Sequence, residues 1–262
     1  LIMESTYGGA DDIMPTRDET EKRFVEICNH TLKEGKILIP VPAVGRAQEI
    51  MMIINNHMRS GELAEVPVYI EGMINEATGI HTAYPAFLSN EIRDQILHEE
   101  SNPFESEYFT TVKQPDLREE IVEGGPSIII ATSGMMEGGP VIEYFKKLGS
   151  DERNALLFVS YQVNGTLGQR IQSGLAQVQT FNIEGKMEIT DVKIKKHTIE
   201  GFSGHSDRKQ LLSYVKRISP KPKNVIVCHG EEEKCNDLAK AISRYHKVTA
   251  LVPNALETIR VF

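Results

Sequence analysis

Short runs of apolar residues, each followed by a small-residue loop or a helical stretch, constrain this chain more than any other feature. Lys36-Ile37-Leu38-Ile39-Pro40, Ser127-Ile128-Ile129-Ile130-Ala131 and Ala155 to Ser160 are continuous rather than alternating. A strand that is apolar at every position is buried on both faces, as in a parallel sheet covered by helices above and below. Val66 to Ile70 and the weaker Tyr108 to Val112 read as two further strands. The intervening patterns predict helices over 46–59, 73–83, 89–99, 140–148 and 166–174. The expected fold class is α/β, built on a doubly wound, mainly parallel sheet.

The pattern changes near residue 178. Gln179 to Ile183, a Glu-Gly-Lys turn at 184–186 and Met187 to Ile194 predict a hairpin. The strand–helix rhythm then resumes, with a helix over 206–217, a strand over 224–228, a helix over 233–246 and a strand over 248–252. A domain boundary is therefore expected near 195–202.

Two histidines in the last quarter stand in informative company. His229 follows the apolar run Val225-Ile226-Val227-Cys228, at the strand end where α/β folds place metal ligands and catalytic groups. His205 precedes a helix start, with Ser206 and Asp207 offering capping oxygens. Near the N-terminus stands Glu4-Ser5-Thr6-Tyr7-Gly8. Together these segments resemble motifs A, B and C of the β-CASP branch of the metallo-β-lactamase ribonucleases. Within that branch the chain is similar to archaeal homologues of the cleavage and polyadenylation specificity factor nuclease.

The resemblance implies a two-zinc site that activates a water for attack on an RNA phosphodiester. It makes His229 a zinc ligand, His205 the proton donor to the leaving oxygen, and Glu4 the carboxylate that holds the tautomer of His205. A carboxylate beside an imidazole favours its charged form and suits it to act as an acid near neutral pH. One departure is large: the family's main metal motif, His-x-His-x-Asp-His, is absent. The histidines stand at 30, 57, 81, 98, 197, 205, 229 and 246, with no two separated by a single residue. Catalytic zinc usually takes at least three protein ligands. Zinc is therefore expected in the full-length parent, as two ions, and not in stoichiometric amount on this chain alone.

The family inserts its β-CASP domain within the hydrolase domain. On that mapping residues 1–10 end the first part of the metallo-β-lactamase domain, 11–199 form the β-CASP domain, and 200–262 return to the hydrolase as part of its αββα fold. The chain starts at Leu1, inside the strand expected before the first motif. It is expected to lack the N-terminal metallo-β-lactamase half, and any RNA-binding domains upstream of it.

Three strand-to-helix loops share one design, small residues followed by a helix N-terminus. Such a terminus presents unpaired N–H groups and the positive end of the helix dipole, which favour phosphate. The first, Pro42 to Glu49, carries Gly45 and Arg46 and is one residue shorter than the similar family loop. The second, Ala131 to Gly139, carries Ser133 and Gly134. The third, Tyr161 to Arg170, carries Gly165, Thr166 and Arg170. The structural alternative for each is a glycine that merely turns the backbone.

Charge adds to this reading. The net charge of −8 argues against a protein that coats nucleic acid indiscriminately. Residues 186–223, however, hold ten basic and four acidic side chains, net +6, a stretch suited to a phosphate backbone. Single-stranded RNA is the expected partner. The apolar tail from Val252 to Phe262 resembles a family segment that pairs two subunits, so a homodimer is expected; a strand of the chain's own sheet is the competing reading. Three cysteines without Cys-x-x-Cys spacing suit a reducing cytoplasm, and no apolar run approaches membrane-spanning length.

The expected function is the RNA-binding, site-completing portion of a zinc-dependent endoribonuclease of the mRNA 3′-end processing type, inactive by itself. The alternatives are a non-catalytic RNA-binding or dimerisation module, and part of an RNase J-like 5′-exonuclease. Tyr7 is read either as a base-stacking group or as packing at the strand end. Asp11 and Asp12 are read as loop residues rather than metal carboxylates.

Overall fold

A computed structural model describes residues 1–98, 102–181 and 185–260. Among them the strands are β1 (Ile2–Glu4), β2 (Ile37–Pro40), β3 (Val68–Glu71), β4 (Phe109–Thr111), β5 (Ile128–Ala131) and β6 (Ala155–Phe158). They continue with β7 (Gln177–Phe181), β8 (Met187–Asp191), β9 (Lys195–Thr198), β10 (Asn224–Cys228) and β11 (Thr249–Leu251). The helices are α1 (Arg17–Thr31), α2 (Arg46–Arg59), α3 (Ile74–Ala83), α4 (Asn90–His98) and α5 (Leu117–Glu123). After them come α6 (Pro140–Leu148), α7 (Leu167–Gln172), α8 (Arg208–Arg217) and α9 (Glu232–His246). The chain divides into two compact units, Arg17–Phe202 and the pair Leu1–Thr16 with Ser203–Phe262.

The larger unit carries six parallel strands in the order β4-β3-β5-β2-β6-β9. Successive side chains of a strand point to opposite faces. Ile37 and Ile39 of β2, Ile128 and Ile130 of β5 and Leu157 of β6 accordingly enter one core, with Phe24 and Ile27 of α1 and Ile50 and Ile54 of α2. Leu38, Ile129, Leu156 and Phe158 enter the other, with Ile121 of α5, Val141, Tyr144 and Phe145 of α6 and Ile171 of α7. Helices therefore cover both faces, which is why these strands are apolar throughout. The α/β, mainly parallel, doubly wound reading holds.

Three elements of this unit were not expected from the sequence. α1 hides in a charged stretch, but its buried Thr20, Phe24, Ile27, Cys28 and Thr31 recur at helical spacing, so a signal was present. α5 is short and buries Ile121 alone. β9 falls inside the stretch 195–202 where the boundary was expected: Lys195, Lys196, His197 and Thr198 pair with Ala155 to Phe158 as a sixth, edge strand, and the units part just after it, at Phe202. Such a polar strand is stable because only one of its edges and little of its surface are covered. The hairpin forms from β7 and β8, antiparallel, with Gln177 opposite Asp191. Its turn falls partly outside the described residues, as do residue 99 of the helix expected over 89–99 and the end of the apolar tail.

The smaller unit has a three-stranded parallel sheet in the order β1-β10-β11. Met3, Val225 and Val227 face the core, where Leu211 and Val215 of α8 and Leu238 and Ile242 of α9 cover them. Asp207 caps α8: its Oδ1 accepts the Gln210 N–H at 2.7 Å, and Gln210 Oε1 accepts the Asp207 N–H at 3.0 Å. Among the described residues no helix is long and apolar enough to cross a membrane.

Candidate functional site

Pairing of β1 with β10 places Glu4 opposite Cys228, so the chain on either side leaves the sheet at the same carboxyl edge. The ladder runs one step further, with the Ser5 N–H donating to the His229 carbonyl at 3.3 Å. His229 then adopts φ 52°, left-handed and uncommon outside glycine, which turns the chain away from the strand. Gly230 follows because nothing larger fits. A Cβ there would lie 2.5 Å from Ser5 Oγ and 2.6 Å from the Ser5 carbonyl oxygen.

His205 arrives from the turn ahead of α8. Its own N–H donates to Ser203 Oγ at 3.1 Å, and the next N–H, of Ser206, donates to Glu4 Oε1 at 3.3 Å. Glu4 Oε2 accepts the Thr6 N–H at 2.8 Å and lies 3.3 Å from His205 Nδ1. Both oxygens of Glu4 are thus engaged in fixing the turn and the imidazole. The rings of His205 and His229 lie 5.5 Å apart, and Glu4, His205 and His229 bring donor atoms within 4.8 Å of one another. His205 is 41 % exposed against 28 % for Glu4, so the imidazole faces solution from a half-buried carboxylate.

Thr6, unremarked in the sequence, is the hub. Its hydroxyl donates to the His229 carbonyl at 3.2 Å and lies 3.2 Å from His229 Nδ1 and 3.4 Å from His205 Nδ1. With its one proton on the carbonyl, Thr6 Oγ1 accepts from His229 Nδ1–H, leaving the lone pair on Nε2. No sequence pattern signals this role; it depends on the β1–β10 register. Around the motif, Lys234 Nζ pairs with Asp12 at 3.1 Å, donates to the Thr6 carbonyl at 3.3 Å and sits 5.5 Å above the Tyr7 ring. Tyr7 stands edge-on to His205, ring centres 6.5 Å apart.

The donor set fits zinc in part. His229 presents an imidazole nitrogen with its tautomer fixed, the usual state of a metal-ligating histidine. Glu4 is committed to backbone N–H groups and to His205. Among the described residues this is the one group of three metal-ligating side chains, fewer than two zinc ions need.

The other expected residues lie in the larger unit, at the carboxyl ends of β2, β5 and β6. These adjacent strands straddle the point where the chain, having wound to one side of β2, crosses to the other, a common place for ligand crevices. The second and third loops are bonded to each other. Gln162 Nε2 donates to the Gly134 carbonyl at 2.9 Å, the Gly168 N–H to the Met135 carbonyl at 3.1 Å, and the Leu167 N–H to Glu137 Oε1 at 2.5 Å. Gly45 (φ 82°) and Gly165 (φ 89°) turn the first and third loops. Thr166 caps α7 and donates to the Val163 carbonyl at 2.7 Å. Ser133 Oγ accepts the Glu137 N–H at 3.1 Å. Arg46 is ion-paired with Glu49, and Arg170 is exposed. The basic stretch 186–223 is divided, with β8 and β9 in the larger unit and α8 in the smaller.

Comparison with known proteins matches two families in sequence. The Beta-Casp domain matches residues 47–171, and the Zn-dependent metallo-hydrolase RNA specificity domain matches residues 189–253. The chain belongs to the β-CASP family of metallo-hydrolases. It is 50 % identical over 264 residues to the transcription termination factor FttA of Cenarchaeum symbiosum, a match covering 100 % of this chain and 41 % of the relative. FttA of Pyrococcus horikoshii is 50 % identical over 263 residues, covering 100 % and 40 %. FttA of Methanothermobacter thermautotrophicus is 52 % identical over 262 residues, covering 100 % and 41 %. The chain therefore spans about two fifths of the length of these β-CASP relatives.

Proposed function

We propose that this chain is the RNA-gripping, site-completing portion of a zinc-dependent RNA-processing endoribonuclease that cuts transcripts at or near their 3′ ends. The observation that carries the reading is the meeting of Glu4, His205 and His229 at one sheet edge, with donor atoms within 4.8 Å. In this reading residues 1–10 and 200–262 belong to the hydrolase domain, the latter to its αββα fold, and 11–199 form the β-CASP insert. The compact units, which part after Thr16 and Phe202, support that division.

Each residue has a role its geometry suits. Glu4 accepts from His205 Nδ1 and holds the ring, so that Nε2 carries the proton given to the leaving oxygen as the phosphorus–oxygen bond breaks. Thr6 fixes the tautomer of His229, whose Nε2 is the zinc donor. When bound, zinc supplies a Lewis acid and an acidified water. Gly45, Arg46, Ser133, Gly134, Gly165, Thr166 and Arg170 hold the RNA backbone, with Arg46 exchanging its bond to Glu49 for a phosphate. The relatives' name, transcription termination factor, agrees with cleavage of a transcript. Two copies pair through the apolar tail, and the three unpaired cysteines suit a cytoplasmic setting.

Zinc content by mass spectrometry, with cleavage of an internally labelled single-stranded RNA blocked at its 5′ end, tests the reading. This chain alone should bind RNA, hold no stoichiometric zinc and cut nothing. Within a chain of the relatives' full length the same residues should cut internally, and His205→Ala should abolish cutting while RNA stays bound. Tightly held zinc with cleavage by this chain alone would overturn the half-site assignment. A requirement for a free 5′ end would replace it with a 5′-exonuclease, and RNA binding without cleavage in the long form with a binding module.

A further inference from the structure

The larger unit contains a groove remote in sequence from Glu4, His205 and His229. It has a volume of about 470 Å³ and lies between α3 and the β3–β4 edge of the sheet. Ile70 and Phe109 line it from the strands, Phe104 and Glu105 from the segment before β4, and Gly79 and Ala83 from α3. Side-chain bonds tie its walls together. Thr111 Oγ1 donates to Asn75 Oδ1 at 2.9 Å, joining β4 to α3, and Asn102 Nδ2 donates to Thr82 Oγ1 at 3.2 Å. The groove is therefore built in the free chain.

Gly79 is its most telling residue. It occupies the interior of α3, where glycine is a poor helix former. Its backbone is ordinary, and a Cβ added there would meet nothing within 4 Å. Packing within this unit thus gives no reason for a glycine; an occupant of the groove does. The surface alongside is apolar as well, with Ile80, Tyr84 and Phe87 each more than half exposed.

Charge selects the occupant. On this face of the sheet, residues 90–98 of α4 and 102–111 of the wall hold Glu91, Asp94, Glu105 and Glu107 against Arg93, net −3. Glu105 lines the groove itself. Such a surface repels a phosphate backbone and attracts a cationic chain. β4 pairs with β3 alone among the described residues, so its outer edge remains open to an extended segment.

We propose that this groove docks an extended, basic segment of a partner protein, which seats an apolar side chain over Gly79 and sets its cations against the acidic wall. None of the residues proposed to hold RNA lines the groove, although Thr78 of its wall accepts from Gln48 Nε2 of the first loop at 3.0 Å, so the partner would sit beside the RNA path rather than on it.

A short labelled peptide of alternating lysine and leucine, followed by fluorescence anisotropy and amide chemical shifts, tests this on the present chain. The peptide should bind, shift Gly79, Thr82 and Thr111, and fail to compete with single-stranded RNA. Gly79→Leu fills the groove with a better helix former, so the variant should fold with undiminished thermal stability and lose about tenfold or more in peptide affinity. Glu105→Lys should also weaken it. Absence of binding, equal binding of a glutamate–leucine peptide, or affinity unchanged in Gly79→Leu would each overturn the proposal. Displacement of the peptide from these residues by RNA would overturn it in favour of a nucleic-acid groove.

Discussion

Two glutamates end parallel strands in this molecule, and their surroundings differ in one respect that decides their use. Glu4 closes β1 and meets two histidines that face solution. Glu71 closes β3, is 6 % exposed, and meets Arg118 and Tyr144. Arg118 Nε donates to it at 3.0 Å and 3.2 Å, and the Tyr144 hydroxyl at 2.7 Å. The hydrogen bond to Glu71 holds the Arg118 guanidinium more firmly charged than usual, although burial opposes this. Burial first, and then the Glu71 carboxylate, push the Tyr144 hydroxyl well above its ordinary value. In one triad each side chain has its partner and no substrate can enter. In the other an imidazole is held from behind and open in front. A strand-end carboxylate is therefore not in itself a sign of function; in the proposed reading it is the exposed imidazole beside Glu4 that makes it one.

The comparison breaks most visibly on neutralising each glutamate. Glu71→Gln should leave Arg118 without its counter-charge and cost about 3 to 5 kcal/mol of stability, measured by urea unfolding of the larger unit. Glu4→Gln keeps its acceptor and should cost about 1 kcal/mol, while removing the hold on His205. If the two variants lost equal stability, the distinction between a sealed and an open triad would fail. The next effect belongs to the turn that presents His229. Gly230→Ala drives a methyl into Ser5 and should cost about 1 to 3 kcal/mol, with the His229 ring resonances shifted and those of Glu71's neighbours unchanged.

The smallest effect tests β9. Burial, helped by Arg23, Lys195 and His30, pushes the His197 imidazole below its ordinary value. On acidification the unfolded chain binds this proton first. The stability associated with neutral His197 is thus present above the unfolded histidine value and lost as pH falls through the depressed folded value. Denaturant midpoints taken down through the histidine range should fall, and His197→Gln should flatten that slope. An unchanged slope would show that β9 does not bury this ring.

Much of the fold was legible because its signal is local. Continuous apolar strands at β2, β5 and β6 name a sheet covered on both faces, and Asp207 with Gln210 announces the start of α8. β9 was missed because an edge strand needs little apolar surface, and α1 because its five buried positions lie among charged residues. Glu4, His205 and His229 were picked out by resemblance, and Thr6 was not, since a hydroxyl has no pattern until its neighbours are placed.

The sequence by itself determined most of the strands and helices, and that the main sheet is parallel. These follow from the period of apolar residues and from capping chemistry, both set by near neighbours. Only the tertiary structure decided that Thr6 lies between two histidines about 200 positions further along the chain, that Glu71 is sealed while Glu4 is open, and that Gly79 faces a groove. The physical reason is that such meetings depend on strand register and on which faces are covered. Those are settled by burial summed over a whole core, which no short stretch of chain encodes.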